Sequence, residues 1–252
     1  MTNQVFETDA HARAPKQSRV GERNHRFSEL RALHTHRVTD PGLVRNTRRA
    51  TGLGKRCFDF AAAALALVFL APAMLTIAVL IKMLDPGPVL YGHRRIGRQG
   101  AAFDCLKFRT MKVNAQEELR QILAINPEAA AEWEQTQKLR RDPRVTKIGA
   151  FLRKTSLDEL PQLINVLRGE MSLIGPRPIT SAELDRYGRQ RRYYLLVRPG
   201  ITGLWQVSGR SSASYEARVR LDREYLEEWS WLGEVWILLM TIPAVLKTEN
   251  AC

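Results

Sequence analysis

Residues 60–81 read FAAAALALVFLAPAMLTIAVLI, 22 consecutive positions without one charged side chain. As a continuous helix the stretch would extend about 33 Å against a hydrocarbon core of about 30 Å, which makes it a membrane segment by length and polarity. Basic residues bracket it: Arg45, Arg48, Arg49, Lys55 and Arg56 come before, and Lys82, Arg94, Arg95 and Arg98 follow. A simple span would have to export one of these clusters against the positive-inside preference. Pro72 stands near the middle, where it deletes a helical hydrogen bond and crowds the preceding turn. The favoured reading is a helix that enters the bilayer, breaks at Pro72 and leaves on the same cytoplasmic face. A plain span and a buried core helix are the alternatives. A secretory signal peptide would carry its apolar region near the N-terminus, not behind some 55 mostly polar residues.

The rest of the chain keeps any membrane contact local, because 26% of its 252 residues are charged, too many for a bundle of spans. Lys and Arg number 39 and Asp and Glu 26, a net charge of +13. Such a balance seeks anionic company: nucleic acid, anionic lipid or phosphorylated small molecules. Cys57, Cys105 and Cys252 form no CxxC pair, which argues against a disulfide framework and a thiolate zinc site. His11, His25, His34 and His36 crowd the first 36 residues and leave His93 alone in the body, so chemistry built on several histidines is not expected. Residues 1–54 are basic and poor in large apolar side chains, the composition of a disordered arm. Three parts are therefore expected: a disordered basic arm over 1–54, a re-entrant membrane helix over 55–84, and a folded domain on the cytoplasmic face over 85–252.

Downstream, the Asp85-Pro86-Gly87-Pro88 turn leads into a stretch, 89–110, that reads as a β-hairpin reversing at 97–100. Residues 114–141 are helical in composition, and Pro127 behind Asn126 suits the first position of a second helix. Helices are expected over 146–154 and 159–168, the latter stopped at Gly169, and MSLIGPRP at 171–178 reads as a short strand turned by two prolines. Trp229, Trp231 and Trp236 open an apolar C-terminal stretch too short to span. It suits either the headgroup boundary or the protein core. The class expected is α+β: a mostly helical catalytic domain with a small β-hairpin, anchored by the membrane helix broken at Pro72 and by interfacial amphipathic helices.

Walker A, GxGxxG, GxSxG and HExxH patterns are absent from the sequence, as is the Asp-Xaa-Asp of metal-dependent glycosyltransferases. The informative feature is Ser156-Leu157-Asp158-Glu159-Leu160-Pro161, two adjacent carboxylates at a helix start. Ser156 with Glu159 fits a capping box, whereas Asp158 as N-cap puts Pro161 at the third helical position, where its missing N–H costs nothing. The second register is preferred, and in either one the helix dipole is expected to keep Asp158 ionised well below neutral pH. A purely structural cap is the plain alternative. Arg153, Arg177 in its proline-locked loop, and Lys107 with Arg109, two apart on a strand, surround the pair with cations suited to phosphate. A carboxylate nucleophile, a neighbouring carboxylate for a hard divalent ion and a cationic clamp are together a phosphoryl-transfer constellation.

KRCFDF (55–60), CLKFRTM (105–111), LRKTSLDELPQLINVLRGEMSLIGPRP (152–178) and RPGITGLWQVSGR (198–210) closely resemble the bacterial sugar transferases, small monotopic polyprenyl-phosphate phosphoglycosyl transferases. Within that group the chain is most similar to exopolysaccharide-initiating galactosyl phosphate transferases of rhizobia and their relatives. The likeness covers residues 55–252 and leaves the arm outside. It implies that Asp158 attacks the sugar-linked phosphate of a UDP-sugar and expels UMP. Undecaprenyl phosphate then takes the phosphosugar from the enzyme. It further implies that Glu159 holds Mg²⁺, that Arg153 and Arg177 bind phosphate, and that Lys107 and Arg109 are the family's basic pair, whose second member is Lys in some relatives. The family's membrane break is often Ser-Pro. Here Ala71 precedes Pro72, so no serine side chain assists.

The expected setting is the inner membrane, with UDP-sugar, undecaprenyl phosphate and the lipid bilayer as partners; self-association into a homo-oligomer is compatible with it. A membrane-tethered nucleic-acid binder or a membrane adaptor is the competing reading. The first is disfavoured because acids are interspersed with the basic residues after position 55 and no helix-turn-helix, RNP or zinc-finger pattern occurs. Residues 200–210 suit either a nucleotide pocket or a tight structural loop.

Overall fold

Helix α1, Pro41–Ala50, lies inside the stretch whose composition suggested a disordered arm. Leu43 packs among Tyr193, Val197 and Leu226, and the Asn46 amide donates to the Glu227 carbonyl. Two inward side chains are enough to dock a helix whose arginines, Arg45, Arg48 and Arg49, all remain exposed. The computed structural model describes residues 41–136, 139, 141–208 and 214–246; residues 1–40 of the expected arm fall outside these, as do Gly209 and Arg210 of the 200–210 loop.

Helix α2, Leu53–Leu84, is a single bent helix of 32 residues with Pro72 inside it, and it is long and apolar enough to cross a membrane. Its two halves rest on the same body. Ala63 packs with Phe103, Cys105, Leu163, Val166 and Met171, whereas Ile77 and Ile81 pack with Phe108 and Leu152. Leu70 and Met74, on either side of Pro72, are partly buried against the same clusters, while the opposite face is exposed: Phe69 is 81% exposed, and Val68, Pro72 and Leu75 are exposed as well. Pro72 cannot donate to the carbonyl one turn back, and the Thr76 hydroxyl bonds to Pro72's own carbonyl at 2.9 Å.

The expected hairpin is present as β1, Leu90–Ile96, and β2, Ala102–Phe108, reversing through a 3-10 turn at Arg98–Gly100. Its antiparallel register pairs Tyr91 with Lys107, His93 with Cys105 and Arg95 with Phe103. Helices α3, Ala115–Ile125, and α4, Pro127–Thr136, follow in tandem, the Asn126 side chain accepting the N–H groups of Glu128 and Ala129 at the junction. Helix α5, Lys147–Lys154, is capped by the Thr146 hydroxyl.

The next segment departs from expectation. No helix starts at Asp158 or Glu159; a 3-10 turn covers Leu157–Glu159, and helix α6, Gln162–Arg168, begins only after Pro161. Ser156 adopts a left-handed conformation with φ of 57°, which rules out the extended backbone that a capping serine needs. Proline takes the place at the head of α6 where a lost N–H is harmless. Gly169, at φ 81°, ends that helix as expected.

A short parallel pair, β3 (Ser172–Ile174) and β4 (Gly200–Thr202), carries the 171–178 loop. Here a Cβ on Gly200 or Gly203 would collide with the Gly175 backbone, so the close approach of the two segments requires glycine. Helices α7 (Ser181–Arg186), α8 (Arg191–Leu196), α9 (Leu204–Val207), α10 (Tyr215–Glu227) and α11 (Trp231–Leu246) complete the fold.

Trp229 is buried just before α11, yet Leu232, Val235 with Trp236, Leu239 and Ile242, recurring about once per turn, leave an exposed apolar face on that helix. Trp231 meets Phe58 of α2 edge-on at 5.8 Å, joining this face to the long apolar helix. Beneath the junction lies a buried polar network. Lys55 Nζ lies 2.6 Å from Asp59 Oδ1 and 2.9 Å from Glu234 Oε2, and donates to the Ser172 hydroxyl. Glu234 also accepts from Tyr225 Oη and Trp229 Nε1. Lys55, read from sequence as a flanking charge, is thus an internal tie between α2, β3 and α11.

Candidate active site

Strand β2 lifts Lys107 over the 3-10 turn, and its ammonium holds both carboxylates, with Nζ 2.6 Å from Glu159 Oε1 and 3.3 Å from Asp158 Oδ2. Asp158 is only 7% exposed, and burial raises its pKa above the ordinary carboxylate value. The Lys107 charge opposes that rise, and the neighbouring Glu159 adds to it. This corrects the expectation of a dipole-stabilised carboxylate: no α-helix starts at Asp158, so desolvation dominates.

Arg153, at the end of α5, donates from Nε to Thr110 Oγ1 at 2.9 Å, and its charge acts on Asp158. Arg177 is exposed between the buried Pro176 and Pro178, and its guanidinium lies 5.9 Å from the Trp205 ring centre. Its field reaches His93 and Cys105 on the hairpin, as does that of Lys107. Lys107, Asp158, Glu159 and Arg153 therefore come together, with Arg177 on the rim.

Arg109 does not join them. It is buried against the 85–87 turn, bonded to the Asp85 carbonyl and 3.4 Å from its carboxylate. Strand β2 ends at Phe108, so the alternation that would put residues 107 and 109 on one side stops one residue early.

The sequence reading gave His93 and Arg95 no part in the site. Both share the hairpin face of Lys107 by register, and the two-residue spacing of Tyr91, His93 and Arg95 in an apolar-poor strand was the available signal. Burial, then the charges of Arg95 and Lys107, lower the His93 pKa, so the ring is neutral near pH 7. Burial pushes the Cys105 thiol up to about 11, which removes it as a nucleophile.

Among the described residues no cluster of three or more His, Cys, Asp or Glu forms a metal cage. The adjacent carboxylates of Asp158 and Glu159 nonetheless fit magnesium, which takes oxygen ligands from one or two carboxylates and completes its shell with phosphates and water.

Residues 49–248 match the bacterial sugar transferase family. The chain belongs to that family. This sugar transferase is 53% identical over 200 residues to "Exopolysaccharide production protein ExoY" of Rhizobium meliloti, a match covering 79% of this chain and 88% of that protein. It is 48% identical over 225 residues to "Undecaprenyl-phosphate galactose phosphotransferase" of Salmonella typhimurium, covering 89% of this chain but 47% of that longer protein. It is 41% identical over 212 residues to "UDP-glucose:undecaprenyl-phosphate glucose-1-phosphate transferase" of Caulobacter vibrioides, covering 81% and 74%. The sugar transferase is an enzyme, and its apolar helix accords with membrane association.

Proposed function

We propose that this sugar transferase moves hexose 1-phosphate, galactose or glucose, from a UDP-sugar to undecaprenyl phosphate and so initiates an exopolysaccharide repeat unit. The names of the relatives support the donor and acceptor. The observation that carries the mechanism is the buried Asp158 carboxyl whose partner ammonium, Lys107, also grips Glu159.

In the first step an Asp158 oxygen attacks the sugar-linked phosphorus. The phosphoanhydride bond breaks, and its electron pair leaves with UMP. In the second step a phosphate oxygen of undecaprenyl phosphate attacks the same phosphorus, and the Asp158 carboxylate departs as the leaving group. One anhydride is consumed and one is made, so no further energy source is needed. Lys107 serves both steps: it favours the ionised nucleophile before attack and the departing carboxylate after it. Arg153 and Arg177 take phosphate oxygens, and the proline-locked loop holds Arg177 in place at little entropic cost. Magnesium, held at Glu159 with Asp158 adjacent, would supply neutralisation of the diphosphate charge.

An α2 that enters and leaves the inner membrane on the cytoplasmic face is supported by both its halves resting on the one catalytic body, while its outward face, Phe69 and Leu75 included, is apolar and exposed. The exposed face of α11 extends this contact along the headgroup boundary, putting the dyad within reach of a lipid phosphate.

Purified Asp158→Asn should lose UMP release by several orders of magnitude, and the wild type incubated with UDP-sugar alone should carry a phosphosugar on Asp158 by mass spectrometry. Kinetics that require both substrates bound together, with no adduct recoverable, would exclude the covalent route.

A further inference from the structure

The hairpin face that presents Lys107 to the dyad also presents three side chains the phosphate chemistry leaves unused. Tyr91 is the cross-strand partner of Lys107, His93 follows two residues on, and Arg95 two beyond that. Arg95 is committed to structure, its Nη1 lying 3.0 Å from Glu183 Oε2, and Glu183 in turn caps α7 through Thr180. The Arg95 Nη2 reaches His93 Nδ1 at 3.5 Å. A guanidinium can only donate, so this contact makes Nδ1 an acceptor and leaves the ring proton on Nε2, the outer nitrogen. His93 is half-buried, held on one side by Arg95 and on the other by an edge-on contact with Tyr91 at 6.1 Å. Tyr91 itself is 55% exposed.

The result is an oriented, uncharged N–H donor beside an exposed aromatic ring, next to the cations that serve phosphate. Charge is already supplied by Lys107, Arg177 and Arg153, so an uncharged donor adds little for an anion. A sugar needs the other combination: an apolar surface for its C–H face and a directional donor for a hydroxyl oxygen. Cross-strand neighbours on one face are about 5 Å apart and diagonal ones about 7–8 Å, so Tyr91 stands beside Lys107 and His93 diagonal to it.

We infer that Tyr91 and His93 form the subsite for the hexosyl group of the donor, with Tyr91 under the ring and His93 Nε2–H donating to a hydroxyl oxygen, so that His93 sets which epimer is accepted. The inference rests on the donor reading above. A site that hydrogen-bonds a substrate hydroxyl discriminates strongly against an analogue that misplaces it.

The test uses the full-length enzyme in nanodiscs with undecaprenyl phosphate, measuring UMP release from UDP-galactose and from UDP-glucose. The wild type should prefer one of these C4 epimers. His93→Ala should reduce the ratio of the two kcat/KM values by about tenfold or more, through loss with the preferred sugar. His93→Gln, which keeps an N–H donor, should recover part of the ratio, and inhibition by UMP, which lacks the sugar, should be unchanged in both variants. Equal losses with the two sugars, a weakened grip on UMP, or a wild type indifferent to the epimer would overturn the subsite. Failure of the wild type to turn over any UDP-sugar would instead refute the donor assignment itself.

Discussion

Replacing Lys55 with methionine removes the cation that bridges Asp59 and Glu234 in the network joining α2 to β3 and α11. All three side chains are at most 3% exposed, and the ammonium lies 2.6 Å and 2.9 Å from the two carboxylates. Methionine fills a similar volume, so packing changes little and the electrostatic loss stands out. Stripping one partner from a buried ion pair costs about 3–5 kcal/mol, because the charge left behind is buried without a compensating cation, whatever hydrogen bonds it keeps. For a chain of this size each kcal/mol moves Tm by about 2–4 °C, so a fall of about 10 °C is expected. The assay is thermal unfolding in detergent followed by tryptophan emission, to which Trp229 contributes directly because its indole donates to Glu234 at 2.7 Å. The triple variant Lys55→Met, Asp59→Asn, Glu234→Gln removes both stranded charges and should regain most of the loss. A single variant melting within about 2 °C of the parent, or a triple variant no better than the single, would refute the reasoning.

Three further outcomes follow from the geometry. Lys107→Met removes the main influence lowering the Asp158 pKa; because only the ionised carboxyl attacks, the acid limb of kcat/KM should move to higher pH, Lys107→Arg should restore it, and an unmoved limb would contradict the assigned role. Asp222, buried with only the Tyr187 hydroxyl at 2.7 Å described as bonding its carboxyl, has its pKa pushed up from 3.8 to about 7, chiefly by desolvation. The folded state therefore holds a proton that the unfolded chain has released between these values, so the Asp222 contribution to stability declines as pH rises from about 4 to about 7. Asp222→Asn should flatten the pH dependence of Tm across that window, and a parallel curve would show that Asp222 does not titrate there. For topology, Cys57 and an exposed Met83→Cys should react with an impermeant maleimide from the same side of sealed vesicles, whereas reaction from opposite sides would establish a plain span; Cys105, buried on β2, should not report.

The elements whose periodicity or punctuation is local were legible in the chain. The hairpin, the tandem helices meeting at Asn126 and Pro127, the Thr146-started helix and the Gly169 stop all depend on a few adjacent residues, and all are present. The long apolar helix was equally plain, because 22 uncharged positions in a row mark it out. The dyad, by contrast, was misread as local structure: the left-handed Ser156 backbone cancels the register capped by Ser156, and the 3-10 turn over Leu157–Glu159, with α6 starting only after Pro161, cancels the one capped by Asp158. The basic stretch before the membrane helix was judged by its average composition, yet Leu43 and Asn46 suffice to seat α1 because they meet a surface made by α8 and α10, more than 140 residues away.

What the order of amino acids determined by itself is therefore the long apolar segment, the local elements and the adjacency of two carboxylates in a chain rich in cations. Which cations reach the pair was decided only by the tertiary structure. Lys107 and Arg109 look alike two residues apart, but the strand ends between them, so one ammonium closes on Asp158 and Glu159 while the other guanidinium is buried against Asp85. The state of Asp158 was likewise a matter of folding, since desolvation depends on how many distant side chains close over a carboxyl, and no neighbour in sequence records that.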